Sequence, residues 1–430
     1  MRKNQSLKSM NDGNSEPQPV VVAAIENYHS NFDTSLAEIE GLTETANGMV
    51  MAVVTQKRDS VDPRTYFGKG KVEEIKEIID RVNAQVLIVD GEISPTHQRN
   101  LEKDTGAQVI DRTGLILDIF ARRAQTSEGK LQVELAQLEY LLPRLTNMWS
   151  HLERTRGGIG LRGPGETQIE TDRRLVRNRI SLLQKRVEEI KERREVQRGK
   201  RSKSQIPIVS IVGYTNAGKS TLLSTLSGDN LFVEDKLFAT LDPTTRDVTF
   251  EGGTRCLISD TVGFIKKLPT QLVAAFRATL EEVTSADILL HVIDATNTAW
   301  SEQMTTVEEV LAELNAASKP TIIAFNKVDD LEEDDFNMLK NQTVRYENVV
   351  YISAKAGFNM DKLEDTIVRL LKKNWDDVEV ILPHSGGKVI TEIHLKGKII
   401  TEDYREEGVY IKASVPKDLA NKLQKYRINL

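Results

Sequence analysis

The sequence predicts a multidomain α/β protein, because short β-branched runs alternate with helical patterns along most of its length. Its 430 residues are too many for one ordinary hydrophobic core, which indicates about two to four domains. Two long segments with a heptad pattern interrupt the alternation. These observations predict an N-terminal α/β domain, an antiparallel helical hairpin, a second α/β domain and a small C-terminal α+β module.

The composition is typical of a soluble globular protein, with 28% charged and 39% hydrophobic residues. The sequence has no apolar run of roughly 20 residues and no apolar segment near its start, so it predicts neither membrane insertion nor a secretory signal. The single cysteine, Cys256, excludes a disulfide framework and an all-cysteine metal site, and we expect it in the core of a strand. We expect a cytoplasmic monomer, with peripheral membrane association left open.

The charge is distributed unevenly along the chain. The formal net charge is −6, yet the segment from Arg144 to Lys203 holds 17 Lys and Arg against 8 Asp and Glu. A basic segment in an otherwise acidic protein indicates that polyanion binding, if there is any, involves that segment.

The N-terminal part is predicted as a polar, disordered tail over residues 1–19 and an α/β domain over residues 20–125. Strands are predicted at Val20–Ile25, Met49–Thr55, Ala84–Asp90 and Ala107–Asp111, and helices at Val72–Val82 and around Gln98–Lys103. This alternation favours crossover units and a mostly parallel sheet. The run Gly68-Lys69-Gly70-Lys71 precedes a helix and could bind an anion there, with a solvated or RNA-facing turn as the alternative.

Residues 126–203 are predicted to form the hairpin. Apolar residues recur at alternating spacings of four and three, at Leu131, Leu135, Leu138, Leu142 and Leu145 and again at Val176, Ile180, Leu183, Val187 and Ile190. The segment Arg156–Gly165 carries five glycines and a proline, so neither helix should continue through it. Pro143 should kink or end the first arm. Two helices packed separately on neighbouring domains are the alternative.

The second α/β domain is predicted over residues 204–374, and the C-terminal module over residues 375–430. In the module, strand-like runs lie at Val378–Leu382 and Val409–Ser414, and a final helix is expected near Asp418–Lys425.

A P-loop pattern follows the first strand of the second α/β domain. It reads G-x-x-x-x-G-K-S and leads into a helix. Backbone N–H groups of such a loop point at phosphate oxygens, Lys219 would neutralise β- and γ-phosphate charge, and Ser220 would offer a hydroxyl to Mg²⁺. The predicted nucleotide-binding residues of the loop are Gly213, Tyr214, Thr215, Asn216, Ala217, Gly218, Lys219, Ser220 and Thr221.

Two further elements complete the expected phosphate and magnesium site. A D-x-x-G run at the end of a strand comprises Asp260, Thr261, Val262 and Gly263, and the loop before it contains Phe238, Ala239, Thr240, Leu241 and Asp242. We expect Asp260 to hold Mg²⁺ through water and the Gly263 N–H to contact the γ-phosphate. Thr240 is the expected second hydroxyl ligand of Mg²⁺, with Thr244 and Thr245 as rivals. The predicted catalytic residues are Lys219, Thr240 and Gly263.

Two later motifs indicate that the base is guanine. They comprise Asn326, Lys327, Val328 and Asp329, and then Ser353, Ala354 and Lys355. The Asp329 carboxylate can accept hydrogen bonds from guanine N1–H and the 2-amino group, whereas adenine offers no donor there. A backbone N–H of the second motif could meet guanine O6. Five motifs in this order favour GTP over ATP.

These motifs resemble those of the translation-factor-related GTPases, and three longer runs resemble the HflX family of ribosome-associated GTPases. The runs are Asp111–Leu145, Gly157–Asp172 and Asp260–Leu268, and the resemblance covers Val20 to the end of the GTPase domain. It implies a P-loop GTPase domain behind a two-part N-terminal region. It also implies binding to the large ribosomal subunit and splitting of stalled or idle ribosomes in the GTP-bound state, with hydrolysis allowing release. An ATP-related activity is implied as well, with no residues assigned to it.

The basic hairpin tip suits an RNA phosphate surface, and the resemblance places it near the peptidyl-transferase centre. The predicted RNA-binding residues of the tip are Arg154, Arg156, Gly157, Gly158, Gly160, Arg162, Gly163 and Gly165. There are two alternative functions. One is a ribosome-assembly GTPase, and the other is an RNA-binding or RNA-remodelling module whose nucleotide site is only structural.

Two residues bear on the rate of hydrolysis. Phe264 stands where many GTPases have a glutamine that orients the attacking water, so we expect slow turnover by the protein alone and stimulation by a partner. In related GTPases an asparagine at the position of Asn216 helps to bind K⁺. Asn216 could equally stabilise the loop or a magnesium water.

Overall fold

The computed structural model describes residues 16–26, 32–148, 164–201, 206–229, 237–251, 253–266, 282–372 and 375–428. The chain divides into two compact units. The first comprises Met1–Ile190 with Asp235–Asp242 and Lys266–Arg277, and the second comprises Lys191–Glu234, Pro243–Ile265 and Ala278–Leu430. Two short segments within the predicted GTPase domain therefore cluster with the N-terminal part of the chain.

The first unit contains a parallel sheet of four strands in the order β2-β1-β3-β4. Its elements are β1 (Gln18–Glu26), α1 (Phe32–Thr45), β2 (Gly48–Lys57), α2 (Lys69–Val82), β3 (Val86–Asp90), α3 (Pro95–Thr105), β4 (Gln108–Asp111) and α4 (Arg112–Arg123). Val21, Ala23, Ile75 and Leu87 belong to its buried core. The expected strands are all present, which agrees with the mostly parallel sheet that the alternation predicts.

Two long helices follow, α5 (Ser127–Met148) and α6 (Pro164–Arg201). Leu135, Ile180 and Leu183 are buried along their seam. Arg179 donates a hydrogen bond to Glu134, and each of these two residues comes directly before a seam residue of its helix. Gln184 donates to Glu139, and each of these comes directly after a seam residue. Equivalent flanking positions meet on one side of a seam when the two helices run in opposite directions, so the two helices are antiparallel.

The structure corrects two expectations about the hairpin. Helix α5 does not end at Pro143 but continues to Met148, while a kink at Pro143 stays a prediction. The second helix begins at Pro164, which places Gly165 inside it. A proline is tolerated at a first helical position because its missing N–H would have no helical partner there. The tip residues Arg154, Arg156, Gly157, Gly158, Gly160, Arg162 and Gly163 lie outside the described residues.

The second unit contains a sheet of six strands in the order β10-β9-β8-β5-β7-β6, parallel except where β6 pairs with β7. Its elements are β5 (Ile208–Gly213), α7 (Lys219–Ser227), β6 (Thr244–Thr249), β7 (Arg255–Asp260), β8 (Ile288–Asp294), α8 (Trp300–Glu313), β9 (Thr321–Asn326), α9 (Glu333–Thr343), β10 (Val349–Tyr351) and α10 (Met360–Lys372). Cys256 is buried on β7, as expected, and burial raises the pKa of its thiol to about 12. Thr244 and Thr245 lie on β6 rather than in the preceding loop.

A C-terminal module completes the second unit with an antiparallel sheet in the order β11-β13-β12. It comprises β11 (Trp375–Leu382), α11 (Gly387–Lys396), β12 (Lys398–Arg405), β13 (Gly408–Pro416) and α12 (Lys417–Leu423). Val380, Ile411 and Leu419 belong to its core. Among the described residues of the whole chain, no helix is long and apolar enough to cross a bilayer.

Candidate nucleotide-binding site

The P-loop connects β5 to α7 through backbone conformations that require glycine. Gly213 has φ 151°, and a Cβ there would lie 2.2 Å from the carbonyl oxygen of Val292. Gly218 has φ 90°, and a Cβ there would lie 2.2 Å from Nδ2 of Asn326. Both contacts are far below ordinary separations, so the loop keeps its shape only with glycine at both positions. The G-x-x-x-x-G spacing thus reflects the packing of the loop against β8 and β9.

Lys219 begins α7 and is almost completely buried. Its Nζ donates to the carbonyl oxygen of Tyr214 over 2.7 Å. Burial lowers the pKa of Lys219 to about 8, against the opposing effect of the Asp260 carboxylate. A buried ammonium of this kind is stabilised when an anion approaches it, which is the situation that a phosphate group creates.

Ser220 and Asp260 provide a pair of oxygen donors that fits Mg²⁺. The Ser220 hydroxyl donates to Oδ2 of Asp260 over 2.7 Å, at the start of α7 and the end of β7. The next residue, Thr261, donates from its hydroxyl to the carbonyl oxygen of Ile211 over 2.8 Å, which fixes the backbone of the D-x-x-G run. Mg²⁺ prefers a few protein oxygens together with phosphate and water, so this donor set suits it.

Gly263 brings the D-x-x-G run against the P-loop. A Cβ on Gly263 would lie 3.0 Å from Nζ of Lys219 and 2.9 Å from Cα of Thr215. A side chain at this position would therefore crowd the Lys219 ammonium and the backbone of the P-loop. This close approach supports the predicted proximity of the Gly263 N–H to the γ-phosphate.

Phe264 joins the two segments through its backbone. Its N–H donates to the carbonyl oxygen of Gly213 over 3.1 Å, and its carbonyl oxygen accepts from the N–H of Thr215 over 2.8 Å. The phenyl ring is only 2% exposed. A buried hydrocarbon ring offers no hydrogen bond to a water molecule, so the structure gives Phe264 a packing role.

The base-recognition motifs are held together by Asn326 at the end of β9. Its Nδ2 donates to the carbonyl oxygen of Ala217 over 2.9 Å, and its Oδ1 accepts from the N–H of Ala354 over 2.9 Å. One side chain therefore ties the P-loop to the second base motif. The Ser353 hydroxyl, in turn, accepts from the N–H of Ala356 over 3.0 Å and shapes the same loop.

Asp329 lies exposed on a short 3₁₀ turn, Val328–Asp330, which follows Asn326 closely in the chain. Lys327 precedes it with φ 65° and donates from Nζ to Oδ2 of Asp294 over 2.6 Å. The aliphatic part of a lysine fixed in this way can lie along a base while the neighbouring carboxylate reads its edge. Lys355 and Asn216 are exposed, and Asn216 has φ 61°.

Three residues near the site carry no motif that could have revealed them. Asp294 orients Lys327, as described, and the Thr225 hydroxyl donates to the carbonyl oxygen of Ala354 over 2.8 Å. His291 is buried on β8 in register with Val212. Burial, with a smaller effect of Lys219, lowers the pKa of His291 to about 4, so its imidazole is neutral near pH 7. Asp294 ends β8 and Thr225 lies near the end of α7, whereas His291 lies in the middle of β8, so the three residues share no sequence signal.

The predicted loop ligands 238–242 belong to the first unit. The Asp242 carboxylate, which we expected to bind nucleotide, instead accepts hydrogen bonds from Gln125 and Thr126 before α5. Phe238 and Leu241 are each 2% exposed. The Phe238 ring packs edge-to-face on Phe120 of α4, within the first unit, while Ala239 and Thr240 are half-buried.

Comparison with known proteins adds the family. Family models described as "GTP-binding GTPase N-terminal", "GTP-binding GTPase Middle Region" and "50S ribosome-binding GTPase" match residues 33–121, 123–201 and 208–327. The chain is 45% identical to the GTPase HflX of Caldanaerobacter subterraneus subsp. tengcongensis, over 92% of this chain and 91% of that protein. It is 44% identical to the GTPase HflX of Escherichia coli, over 87% of each chain.

A solved structure of a GTP-binding protein from Sulfolobus solfataricus in complex with GDP is also similar. It is 27% identical, with a TM-score of 0.44, over 82% of this chain and 99% of that one.

Proposed function

We propose a ribosome-splitting function for this chain, which belongs to the GTPase HflX family and hydrolyses GTP. In this proposal the GTP-bound protein binds the large ribosomal subunit and separates it from its partner subunit. Hydrolysis then allows release. The observation that carries the proposal is the combination of a P-loop GTPase domain with a long basic helix in one chain of this family.

The basic helix is α6. Its described part exposes four basic side chains, those of Arg174, Arg177, Lys185 and Arg186. Its seam residues pack against α5. Guanidinium and ammonium groups spaced along one helix suit the phosphate backbone of RNA, whose neutralisation releases counterions. We therefore propose that α6 and the tip before it contact ribosomal RNA.

The nucleotide site would act through positioning and charge. Lys219 would hold the β- and γ-phosphates, the Gly263 N–H would contact the γ-phosphate, and Asp329 would select guanine. Mg²⁺, held by Ser220, Thr240 and Asp260 through water, would neutralise charge that develops on the phosphate oxygens. Because the Phe264 ring is buried, no group at that position orients the attacking water, and we propose that the large subunit completes or orders the site.

Potassium is the proposed second cation. Asn216 is exposed on the P-loop in a left-handed conformation, which leaves its amide open to an approaching ion. We propose that turnover is faster in potassium than in sodium salts at matched ionic strength. Equal rates would leave Asn216 with a structural role in the loop.

Sedimentation of intact ribosomes tests the proposal. Ribosomes are incubated with the protein and GTP, a non-hydrolysable GTP analogue or GDP, and free subunits are measured. We expect splitting with GTP and with the analogue but not with GDP, and none with Lys219→Ala. Equal splitting in all three nucleotide states would contradict the proposal. Binding to precursor subunits without any splitting would favour a ribosome-assembly GTPase instead.

A further inference from the structure

We infer that Thr225 is a positioning residue for guanine selectivity, which acts through the peptide unit between Ala354 and Lys355. It lies on α7, outside every nucleotide-binding motif of the sequence. The inference rests on the expected contact between the second base motif and guanine O6. It deepens that contact, because it names the N–H that makes it and the side chain that holds this N–H in place. All of these residues belong to the second unit.

The backbone N–H groups of residues 353–356 leave one donor for a ligand. Those of Ser353, Ala354 and Ala356 donate to acceptors of the protein, over 3.2, 2.9 and 3.0 Å. Among the residues that the structure describes, no group accepts from the N–H of Lys355, and Lys355 is exposed. The N–H of Lys355 is therefore the group of this loop that can meet guanine O6.

Thr225 fixes the direction of that N–H. Its hydroxyl donates to the carbonyl oxygen of Ala354 over 2.8 Å. This carbonyl and the N–H of Lys355 belong to one peptide unit, and the described residues contain no cis peptide bond. In a planar trans peptide unit the C=O and the N–H point in opposite directions. Because the carbonyl is turned toward α7, the N–H of Lys355 points away from α7.

A second acceptor competes for the Thr225 hydroxyl. The carbonyl oxygen of Thr221, one turn earlier in α7, lies 3.1 Å away. A helical threonine often donates to such a carbonyl, and one hydroxyl hydrogen serves one acceptor best. The shorter separation favours the carbonyl of Ala354. Ala354 is also almost completely buried, so its carbonyl oxygen depends on a donor from the protein.

The two base motifs lie side by side, which places the N–H of Lys355 near the base. The N–H of Val328 donates to the carbonyl oxygen of Ile352 over 3.3 Å, and β9 and β10 are paired in parallel. Asp329 and Lys355 each follow the end of one of these strands within a few residues, and both are exposed. The N1–H and O6 of guanine are neighbours on one edge of the base, so an adjacent carboxylate and N–H complement that edge.

Helix α7 thereby serves both ends of the nucleotide. It begins with Lys219 and Ser220, the expected contacts to phosphate and Mg²⁺, and Thr225 lies nearly two turns later. Without the Thr225 hydroxyl, the peptide unit after Ala354 can rotate about its flanking bonds. The N–H would then have to be oriented each time a base binds, which costs affinity.

Thr225→Val is the test variant, because valine keeps the branched shape and has no hydroxyl. Thr225→Ser keeps the hydroxyl and loses only the methyl group. Thr305→Val on α8 is the matched control. Thr305 is exposed as Thr225 is, and its hydroxyl donates to the carbonyl oxygen of Ser301, one turn earlier, over 3.0 Å.

The assay is equilibrium binding of three nucleotides to the isolated full-length protein. Inosine diphosphate keeps O6 but lacks the 2-amino group of GDP. In 6-thioguanosine diphosphate, sulfur, a weak acceptor, replaces O6 while N1–H and the 2-amino group remain. For Thr225→Val we expect the affinities for GDP and inosine diphosphate to fall by the same factor, about 3- to 10-fold, and the affinity for the thio analogue by less than about twofold. Thr225→Ser and Thr305→Val should match the wild type.

Three results would overturn the inference. They are an unchanged GDP affinity in Thr225→Val, an equal loss for all three nucleotides, and a loss in Thr225→Ser as large as that in Thr225→Val. An equal loss would leave Thr225 with a role in loop stability alone. Retained binding of the thio analogue shows that the variant is folded. No ribosomes are present, so a failure of ribosome splitting would leave these results intact.

Amide hydrogen exchange supplies an independent readout. GDP should slow the exchange of the Lys355 amide in the wild type, and 6-thioguanosine diphosphate should slow it less. In Thr225→Val the protection by GDP should decrease. A Lys355 amide that GDP does not protect in the wild type would show that another group meets O6, and the inference would fail.

Discussion

At the phosphate end of the nucleotide site, Lys219 is buried and its pKa is lowered to about 8. At the guanine end, Asp329 is exposed on a short turn, and the nearby Asn326 side chain hydrogen-bonds the backbone of Ala217 and Ala354. A buried ammonium has already lost its hydration, so it gains strongly when a phosphate arrives. An exposed carboxylate keeps its water until the base replaces it. We therefore expect the phosphate end to supply affinity and the guanine end to supply selectivity.

The largest effect should come from removing the charge at the phosphate end. We expect Lys219→Ala to weaken GTP and GDP binding by about 3–5 kcal/mol, roughly two to four orders of magnitude, since phosphate charge would meet no buried counter-charge. Isothermal titration with each nucleotide measures this loss. A loss below tenfold would show that Lys219 is not the main phosphate contact.

The next effect should come from the guanine end. We expect Asp329→Asn to weaken GTP binding by about 2–4 kcal/mol, because the one carboxylate accepts hydrogen bonds from both guanine donors. The variant should bind ATP as poorly as the wild type does. Asp330→Asn, an exposed neighbour on the same turn, is the matched control. If both variants bind GTP as the wild type does, the selectivity resides elsewhere.

A smaller effect should follow from pH. The lowered pKa of Lys219 means that its ammonium deprotonates through about pH 8 when no nucleotide is bound. GDP affinity should therefore fall up to about tenfold per pH unit above pH 8, whereas guanosine, which has no phosphate, should show no such fall. A GDP affinity that stays constant from pH 7 to pH 9.5 would contradict a buried, titrating lysine.

The smallest effect concerns His291, which lies near the phosphate end. Its folded-state pKa of about 4 is below the usual 6.5, so the unfolded chain binds more protons between these values. Stability should then fall as pH decreases from 6.5 to 4, by roughly 3 kcal/mol at most from this residue. Urea unfolding of His291→Gln should show a weaker fall over that interval, and an identical fall would assign it to other groups.

Much of the nucleotide site could be predicted because its chemistry is local in sequence. The P-loop spacing, the D-x-x-G run and Asp329 each lie within a few residues of the end of a strand, so a motif is enough to locate them. Asp242 was different, since its partner Thr126 is 116 residues away. No local pattern reveals a contact at that separation. The structure places its side chain on residues that precede α5, and its predicted contact with nucleotide stays a prediction.

Parts of the fold were missed for related reasons. Helix α1 buries Ser35 and Thr43 together with Ile39 and Leu42, so its buried face does not read as an apolar stripe. Pro143 removes one backbone N–H from α5, yet the apolar seam with α6 keeps the helix continuous. Packing outweighed local propensity in both cases. The predicted domain boundaries and the RNA contacts of the tip stay predictions.

GTP turnover with and without large ribosomal subunits tests the central claim most directly. The buried Phe264 ring leaves the isolated site without a group that orients water at that position, so we predict slow turnover alone and stimulation of about 10-fold or more when large subunits are added. The same stimulation should be absent with small subunits. Identical turnover with and without large subunits would contradict the claim that a ribosomal partner completes the site.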